Sequence, residues 1–184
     1  MAFNINDLRS QLTFGGARNA NFQVIIQNPV NAASDLKVPF MVKAASLPGS
    51  TIGEIQVPYF GRKIKQAGDR TFDNWQVTVI NDEDFLVRNA MEAWSNAINS
   101  HTGNTTSFAT GAPLLYKTQA QVIQYSKTGT IIREYTFHGL FPVQITPIEV
   151  SWEATDQIEQ FDVMFAYDYW DVSGGITGNA GTNT

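Results

Sequence analysis

The segment Gly61–Asn81 reads GRKIKQAGDRTFDNWQVTVIN and changes character halfway along. Its second half alternates strictly, because Trp75, Val77 and Val79 share one parity and the residues between them are polar. Alternation with a period of two is typical of a strand with one face in a core. The first half instead concentrates charge among glycines, at Arg62, Lys63, Lys65, Asp69 and Arg70. The sequence therefore predicts a cationic loop that leads directly into a core strand.

Strand-like segments separated by turn residues dominate the rest of the chain. Many short strands with turn signals between them are typical of a β-sandwich or barrel. Lys127-Thr128-Gly129 predicts a hairpin turn between two of the strands. The candidate strands span residues 22–27, 38–45, 54–59, 75–80, 120–126, 130–138, 144–152 and 158–167. The predicted fold class is therefore mainly β, a single-domain antiparallel sandwich or barrel.

A single helix is predicted over about residues 82–99, on the flank of the sheet. Its apolar residues recur at helical spacing and so share one face; they are Val87, Met91, Trp94 and Ile98. Asn81 or Asp82 is expected to cap the helix, and the acidic residues through Asp84 suit the positive end of its dipole. The apolar face predicts packing on the sheet, and capping explains the acidic residues without a metal ion.

Length and composition limit the class of protein. The 184 residues suit one domain that buries a core. No apolar run approaches the roughly 18 residues of a membrane helix, and the start, MAFNINDLRSQL, lacks the charged end and apolar core of a signal peptide. Cysteine is absent, which excludes disulfides, thiolate metal sites and a cysteine nucleophile. These observations predict assembly in a reducing cytoplasm without membrane insertion.

Charge is divided unevenly along the chain. Residues 1–133 carry 12 basic and 9 acidic side chains, whereas residues 134–184 carry 8 acidic and no basic ones. The first part is therefore net +3 and the second −8, within an overall net charge of −5. Such separation suits head-to-tail association between copies, although a monomer with a polarised surface has the same pattern. The acidic balance argues against a protein that reads nucleic-acid sequence.

Residue patterns that support chemistry are nearly absent. His101 and His138 have no partner at metal-ligand spacing, and the Gly15-Gly16 pair lacks the Lys-Ser/Thr of a phosphate loop. No nucleophile elbow is present in the sequence. The sequence therefore predicts no catalytic, cofactor-binding or metal-binding residue, no cofactor and no enzyme activity.

Two predicted strands in the acidic part of the chain have one apolar and one polar face. The apolar parity is expected to face the core; it holds Ile148, Val150 and Trp152 in the first strand and Phe161, Val163, Phe165 and Tyr167 in the second. The opposite parity is polar and holds Glu149, Ser151, Glu153, Gln160 and Asp162. Such a face is either ordinary solvent surface or the wall of a channel, in which fixed negative charge repels phosphate groups.

Two blocks of the sequence resemble a known family. The first contains LPG at Leu47–Gly49, followed by GRKIKQAGDRTFDNWQVTV from Gly61 onward. The second, Gly139–Trp170, reads GLFPVQITPIEVSWEATDQIEQFDVMFAYDYW. In this order they resemble the tail tube proteins of contractile-tailed (myovirus-type) bacteriophages. With the residues between Leu47 and Asn99 included, the resemblance covers roughly half of the chain.

The resemblance implies a small β-sandwich or barrel flanked by one helix, six copies of which form a ring. Such rings stack into the tail tube of the virion, the conduit for genome ejection into the host, and DNA passes through without specific binding. The implied partners are further copies of the chain, the tail sheath protein, the tape-measure protein inside the lumen, and the baseplate and tail terminator proteins. Assembly in the cytoplasm of the bacterial host and a purely structural role follow from the same resemblance.

The resemblance also divides the chain into regions. Residues 1–172 are the expected tube domain, with an N-terminal arm over about 1–20, and residues 173–184 form a flexible Gly-rich tail. Residues 47–70 correspond to an extended loop that reaches the neighbouring ring, which makes its charged residues the candidate stacking residues: Arg62, Lys63, Lys65, Asp69 and Arg70. The polar parity then becomes the candidate lumen wall: Glu149, Ser151, Glu153, Gln160 and Asp162.

Two other functions stay open from the sequence. The first is the tube of a bacterial contractile injection or secretion system, which shares the fold and carries effectors. The second is a monomeric β-barrel that binds a small ligand or a peptide. A genome neighbourhood with capsid and terminase genes would select the phage tail over the first. Light scattering separates the tubes from the second, because tube proteins form rings or filaments.

Overall fold

A computed structural model describes residues 4–12, 15–108 and 112–174. The described residues form nine β-strands: β1 Phe22–Ile26, β2 Val42–Ala45, β3 Thr51–Tyr59, β4 Arg62–Thr71, β5 Trp75–Ile80, β6 Thr118–Tyr125, β7 Ile131–Ile145, β8 Gln160–Ala166 and β9 Tyr169–Ser173. Four α-helices accompany them: α1 Ile5–Gln11, α2 Val38–Met41, α3 Leu86–Ile98 and α4 Pro113–Tyr116. None of the described helices is long and apolar enough to cross a membrane.

All of the strand pairings are antiparallel, so the predicted fold class is confirmed. Seven strands form the body, in the order β1-β6-β7-β8-β5-β2 with β9 also paired to β7. The long strand β7 belongs to both halves of this body, because its first part pairs with β6 and β9 and its last part pairs with β8. The remaining two strands, β3 and β4, form a separate hairpin.

Strand β7 changes partners at Gly139. This residue has a φ of 69°, and a side chain there would collide with the carboxylate of Asp168. The register between β6 and β7 shifts at the same place, between the pairs Thr118–Leu140 and Ala120–Phe137. A bulge of this kind bends a strand, and glycine permits the left-handed backbone that it requires. One strand can therefore contribute to both halves of the body.

The core lies between the two halves of the body and beneath α3. Its largest buried side chains are aromatic, and the ring of Trp75 stacks on that of Phe137 with centroids 4.4 Å apart. Helix α3 contributes Val87, Met91 and Trp94, which are all buried, while Ile98 packs partly buried against the same cluster. The indole Nε1 of Trp94 donates to the carbonyl of Tyr116 at 3.0 Å, which satisfies its only polar group.

The start of α3 differs from the prediction. The helix begins at Leu86, four residues later than about 82, because Phe85 takes the N-cap position in a left-handed conformation. Neither Asn81 nor Asp82 is therefore the cap. The Asp84 carboxylate accepts a hydrogen bond from the Leu86 amide at 3.0 Å, which satisfies one free donor of the first turn. The predicted cap was wrong because the acidic residues bind a lysine before the helix begins.

That lysine is Lys37, whose ammonium lies 2.8 Å from a carboxylate oxygen of Asp82 and also pairs with Asp84. The hydrogen bonds from Lys37 lower the pKa of both carboxyls. The same bonds raise the pKa of Lys37, and the bond to Asp82 contributes most to this rise. This ion-pair clamp links the entry to α2 with the entry to α3. Within the part of the chain that the structure describes, no group of three or more potential metal ligands is present.

Two predicted strands need correction. Residues 144–152 are not a strand beyond Ile145, because pairing with β8 stops there and Pro147 has no N–H to continue the ladder. The expected core positions Val150 and Trp152 are consequently exposed, at 81% and 101%. Residues 38–45 are only half strand, because their first four residues form α2 with a proline in its first turn.

Prediction also missed β9. This strand pairs with β7 and ends at Ser173, the first residue of the predicted tail. Residues 175–184 of that tail lie outside the described residues, as do residues 1–3, 13 and 14 of the predicted N-terminal arm. His138 was expected to end a strand, yet it lies inside β7, opposite Tyr169 of β9. The hairpin turn at 127–129 is confirmed, with Gly129 at a φ of 82°.

Candidate assembly surfaces

The cationic segment is a β-hairpin rather than a loop. Strands β3 and β4 pair from Thr51–Thr71 to Tyr59–Arg62, and Phe60 and Gly61 form the turn with φ values of 44° and 79°. Two successive left-handed residues are the geometry of the tight turns that connect hairpin strands. The strand predicted over 54–59 lies within β3, whereas the loop predicted from Gly61 onward was wrong, because residues 62–71 form β4 and pair with β3.

The hairpin is almost entirely exposed. Every residue of β3 is exposed, and in β4 Gly68 alone is partly shielded. Gly68 lies where the register shifts, and its backbone passes so close to Gly53 that a side chain would press against the Gly53 carbonyl. The hairpin is 9 and 10 residues long in its two strands, which corresponds to a reach of about 30 Å.

The two faces of the hairpin differ in character. The register places the apolar side chains together on one face, with Arg62 at its tip; this apolar face comprises Ile55, Val57, Tyr59, Ile64, Arg62 and Gln66. The other face is the charged face and comprises Glu54, Gln56, Pro58, Lys63, Lys65 and Ala67. The sequence grouped Arg62, Lys63 and Lys65 as one cluster, but the pleat separates Arg62 from the two lysines.

Partners within the hairpin hold some of its charges. The Lys65 ammonium lies 2.9 Å from the Glu54 carboxylate, and hydrogen bonds from Lys65 and then Gln56 lower the pKa of Glu54. Arg70 donates from Nη1 to the hydroxyl of Ser50 at 3.0 Å. Asp69, the remaining predicted stacking residue, lies at the register shift opposite Gly53. These exposed contacts orient side chains and add little stability.

The base of the hairpin is tied to one end of the body. The indole of Trp75, at the start of β5, donates to the carbonyl of Ser46 at 2.8 Å. The indole of Trp170 donates to the carbonyl of Gly49 at 3.3 Å. Since Trp75 pairs with Phe165 near the end of β8, the hairpin leaves the body at this end of the β5–β8 pair.

A groove lies at the opposite end of the same strand pair. Its walls come from the loop that follows β7 and its floor from Thr78 of β5 and the start of β8. It has a volume of about 760 Å³. We call it the acidic groove, and it is lined by Thr78, Thr146, Pro147, Ile148, Glu149, Val150, Ser151, Ala154, Gln157, Ile158, Glu159, Gln160, Phe161 and Asp162. Its charged residues are all acidic.

The groove brings together four of the five candidate lumen residues. Glu149 and Ser151 stand on its loop wall, and Gln160 and Asp162 on the outward face of β8. Glu153 lies on the same loop, where its amide donates to the Ser151 hydroxyl at 3.3 Å, but it does not line the groove. The strand that was predicted to align Glu149, Ser151 and Glu153 does not form, so a loop and a strand assemble this set.

Asp162 is fixed in place on the outward face of β8. Its carboxylate accepts hydrogen bonds from the Thr78 hydroxyl at 2.7 Å and from the Gln76 amide at 3.0 Å. The Asp162 amide donates to the hydroxyl of Thr146 at 2.8 Å, which ties the start of the loop to β8. The outward face of the β5–β8 pair is therefore an ordered polar surface that carries negative charge.

Sequence reasoning missed the apolar residues of both surfaces. On the hairpin, Tyr59 and Phe60 are 65% and 91% exposed, and around the groove Val150 and Ile158 are also exposed. The alternation of Ile55, Val57 and Tyr59 was part of the strand predicted over 54–59, but the sequence did not show that this apolar face is exposed.

His138 forms a second polar cluster, on the outward side of β7. Its Nε2 lies 2.8 Å from the carboxylate of Asp171, and its ring stacks on Tyr169 with centroids 4.6 Å apart. Asp171 and Tyr169 both belong to β9, so the contacts join the two paired strands. The cluster therefore supports the pairing of β7 with β9.

Known proteins resemble the chain over most of its length. A family model described as phage tail tube protein matches residues 9–173. The tail tube protein gp19 of Enterobacteria phage T6 and that of phage T4 are each 38% identical over 133 residues, which are 72% of this chain and 80% of the relative. A tail tube protein of Serratia phage KSP90 is 27% identical over 168 residues, 89% of this chain and 93% of the relative.

Solved structures share the fold at low identity. The cap that terminates the tube of the anti-feeding prophage has a TM-score of 0.63 at 18% identity, and the match covers 95% of this chain and 100% of that one. A chain of the sheath–tube complex of the extracellular contractile injection system PVC has a TM-score of 0.58 at 12% identity, covering 94% and 99%. Given the match of the family model and the identity to the two gp19 proteins, this chain belongs to the phage tail tube protein family.

Proposed function

We propose that the chain is the tube subunit of a contractile phage tail, and that six copies form a ring and rings stack into the conduit for genome ejection. Family membership supports the role of a structural tube subunit in the virion tail. The separation of charge along the chain suits a subunit whose two ends meet in successive rings.

One observation carries this proposal: the described residues of this chain leave both faces of the β3–β4 hairpin exposed. Two isolated strands are marginally stable in water, yet β3 and β4 project with apolar side chains exposed along one face. Contiguous exposed apolar side chains on a domain mark interaction surfaces. A neighbouring copy supplies the cover that the body of the same chain does not.

Strand edges provide a second contact between copies, within the ring. In the path β1-β6-β7-β8-β5-β2, the terminal strands β1 and β2 each have one unpaired edge, and β9 ends the branch from β7. Unpaired edges invite pairing with another chain. Pairing of edges between neighbouring copies would close six sheets into one continuous wall and would remove these edges.

The outward face of the β5–β8 pair is our candidate for the lumen wall. It carries Gln160 and Asp162, and the loop beside it carries Glu149, Ser151 and Glu153. Negative charge at this wall would repel the phosphates of passing DNA, so that the genome moves through without being bound. The tape-measure protein would occupy the same lumen before ejection.

The remaining partners follow from the place of a tube in a contractile tail. These are the sheath around the tube, the baseplate from which it starts and the terminator at its other end. We propose assembly in the cytoplasm of the bacterial host, which agrees with a chain that has no cysteine. The role requires no catalysis, cofactor or metal ion.

A bacterial contractile injection system is the alternative function. The structures of the anti-feeding prophage and PVC share the fold at 18% and 12% identity, and at that level the likeness shows the fold alone. The relatives at 38% identity are tail tube proteins of phages. Sequence similarity therefore favours the phage tail, and capsid and terminase genes beside this gene would separate the two functions.

Electron microscopy of the purified protein tests the proposal. We expect six-fold rings or tubes in negative stain and a matching mass by light scattering. A protein that stays monomeric at high concentration and shows no rings would contradict the proposal and favour a monomeric β-barrel.

A further inference from the structure

We infer that the acidic groove of one copy receives the tip of the β3–β4 hairpin of a copy in the next ring. The inference rests on the proposed function, because it names the contact through which rings stack. The occupant is a second copy of this chain, and the inserted segment is Tyr59–Arg62, the turn of the hairpin with its two flanking residues.

The positions of the two surfaces support this contact. The hairpin leaves the body where Trp75 of β5 pairs with Phe165 of β8. The groove lies at the other end of the same ladder, where Ile80 pairs with Gln160. These six-residue pairings separate the ends by about 20 Å. A donor at one end and an acceptor at the other make a head-to-tail contact, which repeats without limit along an axis and produces filaments.

The tip of the hairpin has the side chains that such an insertion needs. Phe60 is 91% exposed at the turn, and Tyr59 is 65% exposed beside it. Their rings lie 4.6 Å apart in an edge-to-face arrangement, so the tip presents one compact aromatic unit. Arg62, paired with Tyr59 across the ladder, adds a positive charge to the same face.

The groove matches this tip in size, polarity and charge. A volume of about 760 Å³ is within the range of roughly 300–1,000 Å³ that pockets for organic ligands have. Val150 and Ile158 supply exposed apolar wall, while Glu149, Glu159 and Asp162 supply negative charge.

Glu149 is the acidic residue of the groove that remains available to pair with an inserted hairpin. Asp162 is held by Thr78 and Gln76, and Glu159 accepts a hydrogen bond from Asn81. Among the described residues, Glu149 has no hydrogen bond or ion pair, and its side chain is exposed on the groove wall. We therefore pair Glu149 with Arg62 of the inserted hairpin, which would leave the charged face of the hairpin outside the groove.

The contact is compatible with the proposed lumen wall. The groove lies at one end of the outward face of β5 and β8, so it forms the rim of that wall rather than its middle. A hairpin seated at the rim would bridge the wall of one ring to that of the next. Each subunit would be donor at one end and acceptor at the other, in keeping with a continuous conduit.

Disulfide trapping tests the contact in the full chain. The protein has no cysteine, so the single variants Phe60→Cys and Val150→Cys each carry one thiol, and a disulfide between them requires Cβ atoms within about 4.5 Å. After the two variants are mixed, assembled and oxidised, we expect mass spectrometry to find the peptide that joins positions 60 and 150. The double variant should give a ladder of covalent multimers.

Leu114→Cys is the matched control for the acceptor. Leu114 is 89% exposed on α4 and does not line the groove, so its mixture with Phe60→Cys should give no joined peptide. Tubes that form normally in the mixed Phe60→Cys and Val150→Cys sample without the 60–150 disulfide would overturn this inference and leave the proposed function intact. Wild-type protein that forms neither rings nor tubes would instead remove the proposed function and the inference together.

A charge exchange gives a second test, which does not depend on a thiol. Arg62→Glu should reduce the length of tubes, and adding Glu149→Arg should restore it, because the pair is then reversed rather than lost. Glu153→Arg, on the same loop but outside the groove, is the control and should restore nothing. Equal rescue by both changes, or by neither, would contradict the pairing of Arg62 with Glu149.

Discussion

Strands β4 and β5 are separated by residues 72–74, and they have opposite surroundings. In β5 the residues Trp75, Val77 and Val79 are buried at 2%, 0% and 3%, whereas no residue of β4 is buried. Both strands are extended and both belong to antiparallel ladders. The difference lies in what covers them: the core covers one face of β5, and within the described part of this chain nothing buries the hairpin. This difference supports our proposal that a neighbouring copy covers the hairpin.

The largest effect is expected from a matched pair of aromatic truncations. Trp75→Ala should lower the free energy of unfolding by about 3–5 kcal/mol, because it removes a fully buried ring from the core. Tyr59→Ala, at the exposed tip, should change it by less than about 0.5 kcal/mol. Urea denaturation of protein held below the concentration of assembly measures both. A comparable loss for Tyr59→Ala would mean that the hairpin packs on its own body.

The second effect is a loss of assembly without a loss of folding. Val57→Ser together with Ile64→Ser makes the apolar face of the hairpin polar, so contact with a neighbour should no longer bury apolar area. We expect tubes to disappear from negative stain, while circular dichroism and the unfolding midpoint stay as in the wild type. The double change Gln56→Ser and Ala67→Ser, on the charged face, is the control and should keep tubes. Tubes of normal length from the first variant would exclude the apolar face as an interface.

The third effect concerns the charges of the hairpin. Changing Arg62, Lys63 and Lys65 to Glu should yield rings that do not polymerise, and stacking of the wild type should weaken as salt increases. Each exposed ion pair contributes only about 0–1 kcal/mol, but a ring would repeat every contact, and salt screens such pairs. Sedimentation at increasing salt concentration measures the effect. Lys127→Glu, at an exposed turn, is the control, and normal salt tolerance of the triple variant would show that these charges do not determine stacking.

The smallest effect is expected from loss of the ion-pair clamp of Lys37 with Asp82 and Asp84. This clamp lies in the body of the protein and not in the hairpin. The two carboxyls have pKa values below the ordinary 3.8, so their contribution to stability is present above that pH and is lost as the pH falls through their folded values. Lys37 has a raised pKa, so its contribution is present below its ordinary 10.5 and is lost only above that pH. Lys37→Met should therefore reduce the free energy of unfolding at neutral pH.

The difference between Lys37→Met and the wild type should shrink toward zero as the pH falls below 3.8. Denaturation series at several pH values measure this difference. A gap of constant size across the acid range would show that the clamp acts through packing of the lysine stem and not through charge. Tube length should stay unchanged at neutral pH, because the clamp lies outside the hairpin and the groove.

The local residue pattern correctly predicted those elements in which each face has a single environment, either core or solvent. Strand β5 runs over Trp75–Ile80, as its alternation predicted, and the turn at 127–129 joins β6 to β7. The same rule failed for residues 144–152, where alternation is present but pairing with β8 ends at Ile145. Alternation shows that a strand is allowed, and a partner at the right distance decides whether it forms.

The sequence by itself determined the mainly antiparallel β class, the core strand β5, the apolar face of α3 and the separation of basic from acidic residues. These depend on the order of residues within short windows, where the period of the backbone dictates which side chains share a face. The likeness to tail tube proteins was equally legible, because it resides in contiguous blocks such as Gly61–Asn81.

Tertiary structure alone decided the rest. Only the fold shows that the cationic segment is a hairpin with Arg62 and Lys63 on different faces. The fold also decides that Phe85 takes the N-cap position of α3 and that Thr78, Glu149 and Asp162 meet in one groove. Only the fold places that groove and the hairpin at opposite ends of one strand pair. The physical reason is that these features depend on contacts between residues far apart in the chain. Such contacts decide which faces are buried, which strands pair and in what register, and no local period in the sequence encodes them.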